Sequence, residues 1–174
     1  EIQNLSGEVV DTSGWVAVVN NAAGLDINAR HDMLWDLPPS MAVDEVLYRS
    51  DSGPGPPWGE NIFWQTDGPG WAMILDDAGN VADFAVWGYS PEEIASFDVT
   101  VAGHHVTAEG IFNGDGIGPK LDRDHSLQRL CAVDHDDASD FAPVAPTTPG
   151  VQNDGLVTPF VGRGAPGVGF ETDP

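Results

Sequence analysis

Acidic side chains are the most abundant reactive groups in this chain, and eight polar oxygen donors gather in two short stretches. Asn113, Asp115, Asp122 and Asp124 fall in one loop, and Asp134, Asp136, Asp137 and Asp140 in the next. Calcium takes roughly six to eight oxygen ligands from carboxylates, amides and backbone carbonyls, and a flexible run such as Asn113-Gly114-Asp115-Gly116 suits it. The EF-hand pattern with its terminal bidentate Glu is absent from the sequence. The same spacing also suits acidic loops that are simply solvated. Calcium is the only cofactor the residues suggest, and both readings stand at this level.

Other groups point to less. His104 and His105 are neighbours, and adjacent strand residues face opposite sides, so the two do not readily enter one zinc site. His125 and His135 lie near the acidic loops. The sequence holds no G-x-S-x-G elbow, no H-E-x-x-H and no P-loop. Carboxylate pairs are so common here that no pair stands out as a glycosidase acid and base. Trp58, beside a Gly- and Pro-rich loop, is the tryptophan expected to be exposed, where its ring can stack on a sugar. Trp64 and Trp71 lie in strand-like runs and are expected to pack inside. Arg129, in a chain with few bases, is expected to pair with a carboxylate such as Asp83 or Asp140 and so to tie a strand to a loop.

Twenty-eight acids face six bases, for a formal charge of −22, and Lys120 is the sole lysine. Such a surface repels nucleic acid, whose binding needs clustered Lys and Arg, and it repels anionic membranes. The 174 residues suffice for one domain of ordinary size. Cys131 is the only cysteine, so no internal disulfide exists, and its apolar flanks predict a buried thiol. No apolar run is long enough to span a bilayer as a helix, so no membrane insertion is expected.

Positioning these groups falls to strands. Val9-Val10, Trp15–Val19, Glu45–Tyr48, Asn61–Trp64, Trp71–Leu75 and Val81–Trp87 are short, rich in β-branched or aromatic residues, and bounded by turn residues. Phe97–Val101, His105–Ala108 and Ser126–Leu130 follow. Gly79 is placed to supply the positive φ of a tight hairpin, and Ser90-Pro91-Glu92-Glu93 reads as a capped helical start. A further turn is expected between Asp26 and Asp36. Ser50–Gly59 reads as an exposed excursion, and everything after Pro143 as an unperiodic strap. The fold class is therefore all-β with long Gly/Pro-rich loops.

In this order, four pieces resemble the lamin-tail domain family of bacterial type. Glu1-Ile2-Gln3-Asn4-Leu5-Ser6, with Val10-Asp11 and Gly14-Trp15, resembles its "E-I-x-N-x-S, V-D, S-G-W" opening. Asp76–Phe84 resembles its central hairpin. Ser126-Leu127-Gln128-Arg129 resembles its "S-L-Q-R" strand, and Asp140-Phe141, Thr148-Pro149-Gly150 and Asn153 resemble its closing "D-F … T-P-G-x-x-N". The resemblance implies an immunoglobulin-like β-sandwich over residues 1–153, followed by a strap or linker, 154–174, toward a further domain. The strand that normally precedes the family's opening is missing. An open sheet edge is then expected, which Leu156–Val161 is able to fill in its own chain or in a neighbour, building filaments in the second case. Pro38–Thr66 and Ser90–Lys120 exceed a minimal member.

The function expected from all this is a non-catalytic structural or interaction module of a secreted or surface multidomain bacterial protein. Its expected partners are other copies of itself or other surface proteins. The competing readings are a glycan-binding accessory of a secreted enzyme, acting through Trp58, and a calcium-dependent hydrolase.

Overall fold

The computed structural model describes residues 1–20, 26–29, 31–50, 55–58, 68–118 and 125–161. Among the described residues strands make up 44% and helix 6%, so the protein is all-β. In chain order the strands are β1 (Ile2–Gln3), β2 (Val10–Asp11), β3 (Val16–Asn20), β4 (His31–Asp36), β5 (Ser40–Met41), β6 (Val46–Leu47), β7 (Gly70–Leu75) and β8 (Val81–Trp87). One short helix, α1 (Pro91–Ala95), precedes β9 (Asp98–Val101) and β10 (His104–Thr107). Then come β11 (Ser126–Arg129), β12 (Cys131–Val133), β13 (Phe141–Val144) and β14 (Leu156–Val161).

The centre is a four-stranded antiparallel sheet in the order β4-β3-β7-β8. Register follows from side-chain alternation. Val18 stands opposite Met73, and Met73 opposite Phe84, so all three point to one face. One residue earlier on β3, Ala17 lines up with Ile74 and Asp83, which point to the other face. A slip of one residue would exchange the two sets, so burial specifies the pairing.

The turn between β7 and β8 is built by Asp76. Its carboxylate accepts from the backbone of Ala78 and Asn80 at 2.9 and 2.8 Å and from Asn80 Nδ2 at 2.8 Å. Gly79 takes φ +87°, as the hairpin requires, and a Cβ there would strike the His104 ring. Ser90 caps α1 through Glu93, with Pro91 opening the helix, as its sequence indicates.

On the first face, α1, β9, β10 and the segment after them close the main core. Trp71, fully buried, meets Phe97 edge-on at 5.3 Å, and Phe84 packs between Phe97 and Phe112. Ile94, Val99, Val101, Val106 and Ile117 complete it. On the second face a smaller group forms from Ala17, Trp35 and Leu37, with Ile2, Trp15, Leu47 and Trp58 against it.

Three segments differ from their sequence reading. The expected turn from Asp26 to Asp36 is a turn only at its start; His31–Asp36 is strand, because Met33, Leu34 and Trp35 pair with Val19, Val18 and Ala17 of β3. The chain after Pro143 is not simply a strap, since Phe141–Val144 pairs with β11. Leu156–Val161 pairs in parallel with β12, and the Phe160 N–H donates to the Leu5 carbonyl at 2.8 Å, so within the chain this strand lies beside the opening segment. The expected strand Asn61–Trp64, with Trp64, lies outside the described residues. So do the side chain of Cys131 and the strap beyond Val161.

Candidate functional site

Arg129 ends β11 with its side chain on the second face of the sheet. There its guanidinium meets three carboxylates. Nη2 donates to Asp83 of β8, and Nη1 lies 3.0 Å from Asp134 and 3.5 Å from Asp140. The expected pairing with Asp83 or Asp140 holds for both, and Asp134 joins them. The two nitrogens serve separate acids, so the arrangement bridges chain segments rather than gripping one carboxylate with a fork. Phe141 lies 4.4 Å from the guanidinium carbon and Phe160 5.6 Å, each offering a ring face to the cation.

The segment from Asp134 to Phe141 is folded by its own acids. Asp137 caps a 3-10 turn by accepting from the Ser139 backbone at 2.7 Å. Asp140 is fully buried and accepts from the His135 backbone at 2.9 Å and meets the His135 ring at 2.7 Å. Asp136 adopts φ +52°, and its carbonyl accepts from the Asn113 N–H at 2.6 Å.

Electrostatics follow from burial. Loss of water pushes the Asp134 carboxyl up to about 7, helped by the Asp83 charge and by its hydrogen bond to Asp140, against the pull of Arg129. Burial also works to raise Asp140, but the bonds from His135 and the neighbouring Asp134 and Arg129 outweigh it and hold the group low. Arg129 stays cationic: burial opposes its charge, and the three acids more than compensate.

The eight expected metal ligands divide. Asn113 and Asp115 are exposed, Asp134 and Asp140 engage Arg129, Asp136 donates its backbone N–H to Asp134 at 3.1 Å, and Asp137 caps the 3-10 turn. Asp122 and Asp124 lie outside the described residues. The two loops do meet, Asn113 bridging to Asp137 through backbone, but among the described residues no three acidic, His or Cys side chains are grouped to hold a metal ion. Trp58, expected to be exposed, is half-buried and packs edge-on against Trp35 at 5.6 Å. His104 packs half-buried against Gly79, while His105 is exposed and pairs with Asp98 at 2.8 Å, so the two histidines part as strand geometry demands.

A cleft of about 1040 Å3 runs between the second face of the central sheet and β11, floored by small residues including Ala17, Ala72 and Ala85 and flanked by Trp35, Trp87 and Leu127. Among the described residues no helix is long and apolar enough to cross a membrane. In comparisons with known proteins, no family model, no curated protein and no solved structure matches this chain.

Proposed function

We propose that this chain is a non-catalytic structural module of lamin-tail type, an immunoglobulin-like sandwich within a secreted or surface multidomain bacterial protein. One observation carries the reading: the separate pieces that resemble the family are the ones that fasten to each other. Asp83 of the hairpin, Arg129 of the "S-L-Q-R" strand, and Asp140 and Phe141 of the closing piece meet at one centre, with Asp140 fully buried in it. Thr148 accepts from Gln128 at 3.1 Å, and Asn153 donates to the Arg129 carbonyl at 3.3 Å. Asn4, buried in the opening, donates to Glu8, Met41 and Ala42 carbonyls and accepts from Ser6. Glu1 accepts from the Gly150 N–H at 2.6 Å.

Polar groups spent on each other in this way serve architecture, and the acidic exterior suits a solvated, extracellular setting. The partners on this reading are further copies of the module or other surface proteins. The test is to delete the segment from the full-length protein and follow surface retention, particle size and any catalytic activity of the parent. Retention or assembly should change while activity persists. Separately, the purified chain is offered chromogenic esters, glycosides and phosphate esters with and without calcium. Turnover lost on a single Asp→Asn change would overturn the reading in favour of a hydrolase.

A further inference from the structure

The cleft between the second face of the central sheet and β11 has two unlike walls. On the sheet side Ala72 of β7 stands opposite Ala85 of β8, both half-buried, and their short side chains leave a shelf. Rings stand over its two edges, Trp35 on β4 and Trp87 on β8. Trp35 is braced by the Trp58 ring at 5.6 Å and by the Arg49 guanidinium at 5.0 Å, and Trp87 lies so close to the Gly70 backbone that a Cβ there would strike it. The facing wall is polar and includes His125, Ser126, Gln128 and Thr148. Gln128 is 4% exposed, and its Nε2 donates to Ser126 Oγ and Thr148 Oγ1 at 2.9 and 3.1 Å. Its Oε1 and the Nδ1 of His125 are both covered and have no hydrogen-bond partner among the described residues. Buried polar atoms are nearly always paired, so two unmet ones on a single wall call for a ligand group that pairs them.

We propose that this cleft binds a neutral oligosaccharide, whose sugar rings lie on the alanine shelf between Trp35 and Trp87 and whose hydroxyls pair with Gln128 and His125. The hydroxyls that hold Gln128 accept and donate alike, so either end of its carboxamide can be the one left over. His125 Nδ1 likewise donates or accepts according to its tautomer. A ligand hydroxyl is donor and acceptor at once and meets both groups in either state; a carboxylate or an ammonium meets them in only one. A pyranose also carries C–H faces, which suit the shelf and the indole rings. An apolar peptide segment would fit that side and leave the polar wall unmet. Charge narrows the choice further, because a chain of formal charge −22 repels acidic sugars. The cleft of about 1040 Å3 is at the upper end of small-molecule sites, which span roughly 300–1,000 Å3, so it has room for a short oligomer. Trp58 acts here as a brace for Trp35 rather than as a stacking surface of its own. The site is a binding function beyond the structural role and stands independently of it.

The experiment offers the purified chain cellotetraose, xylotetraose, mannotetraose, chitotetraose and maltotetraose at millimolar concentration, with tetragalacturonate and an uncharged apolar peptide beside them. Binding is followed by calorimetry and by NMR shifts of indole and side-chain amide groups. At least one neutral saccharide should bind saturably and move the signals of Trp35, Trp87 and the Gln128 carboxamide, while those of Trp71 in the opposite core stay in place. Ala85→Leu fills the shelf and removes no hydrogen bond; it should weaken binding about tenfold or more with little change in melting temperature. Gln128→Met, which keeps the shape and loses the polar end, should weaken it as well. Five neutral saccharides that all fail to bind, shifts confined to Trp58, or affinity untouched by Ala85→Leu would each overturn the proposal. So would a preference for tetragalacturonate, or binding of the apolar peptide alone. Should both variants fail to fold, the shifts in the unaltered chain decide.

Discussion

The two faces of the central sheet are closed by opposite means. Toward α1, β9 and β10 the sheet presents Trp71, Met73, Leu75, Phe84 and Val86, and aromatic rings interlock without a charged group among them. Toward β11 it presents Ala17, Ala72, Ile74, Asp83 and Ala85, leaves a cleft, and is fastened by one arginine among three acids. The first face is held by area removed from water, which is tolerant of direction. The second is held by contacts that work only in one geometry and one charge state. Stability and specificity are therefore separated across a single sheet.

The largest effect should come from the first face. Trp71→Ala removes a fully buried ring, its edge contact with Phe97 and the 2.8 Å bond from Nε1 to the Ile27 carbonyl. A loss of about 3–5 kcal/mol is expected, read as a lower urea midpoint. Arg129→Leu strikes the second face. It strands three carboxylates and should cost about 3 kcal/mol at pH 8. Protonating those acids removes the repulsion, so this deficit should shrink toward pH 5, whereas the Trp71→Ala deficit should not. Equal pH behaviour of the two variants would erase the contrast.

A smaller effect belongs to the unaltered protein. An unfolded aspartate ionises near pH ~3.9, while Asp134 keeps its proton to about 7. Between those values the folded chain binds more protons than the unfolded one, so stability contributed here falls as pH rises from about 4 to about 7. Asp140, held low, acts in the opposite sense, and its contribution is lost only as pH drops below the unfolded value. Melting temperature against pH should therefore peak in mild acid, and a curve that climbs steadily to pH 8 would contradict it.

Ser90→Ala removes the cap of α1, which closes the apolar face, and should cost about 1 kcal/mol by denaturant titration. His105→Ala is the smallest: the ion pair with Asp98 is well exposed on both sides, and a change within about 0.5 kcal/mol is expected. A larger loss would mean that the exterior of the β9–β10 hairpin matters more than its buried face.

What could be read before folding was mostly what local chemistry decides. The Asp76–Asn80 reversal, the Ser90 cap and the alternation of Val81–Trp87 each follow from neighbours a few residues apart. The tie from Arg129 to a carboxylate was legible because bases are so scarce. Among the strands not read were β4, β5, β12 and β13. Pro143 and Pro159 look like breakers, yet both sit in short strands of two-stranded sheets, where few ladder bonds are demanded of them. His31–Asp36 carries polar ends around Met33, Leu34 and Trp35, and only pairing with β3 makes it a strand. The acids posed a harder problem. An Asp that caps a turn, an Asp that holds an arginine and an Asp that ligates a cation share one spacing in sequence. Which role Asp134, Asp137 and Asp140 take depends on where Arg129 arrives from β11. Trp58 was misread for a similar reason, because its partner Trp35 lies in the strand that was missed.

The segment that closes the apolar face leaves the sheet and returns to it at nearly one point. It departs after Trp87, and Ile117 comes back to bond Val86 and Gly88 at 2.7 and 3.2 Å, with Gly116 donating to Tyr89 at 3.0 Å. Gly116 is needed there, since a Cβ would stand 2.8 Å from the Tyr89 carbonyl. A loop whose two feet stand side by side is invisible to the rest of the chain's path. Its length can drift at an entropic cost that grows only as the logarithm of the residues added. What lies between the feet is thus open to replacement, by grafting or by descent, provided each substitute brings its own apolar lid for Trp71 and Phe84.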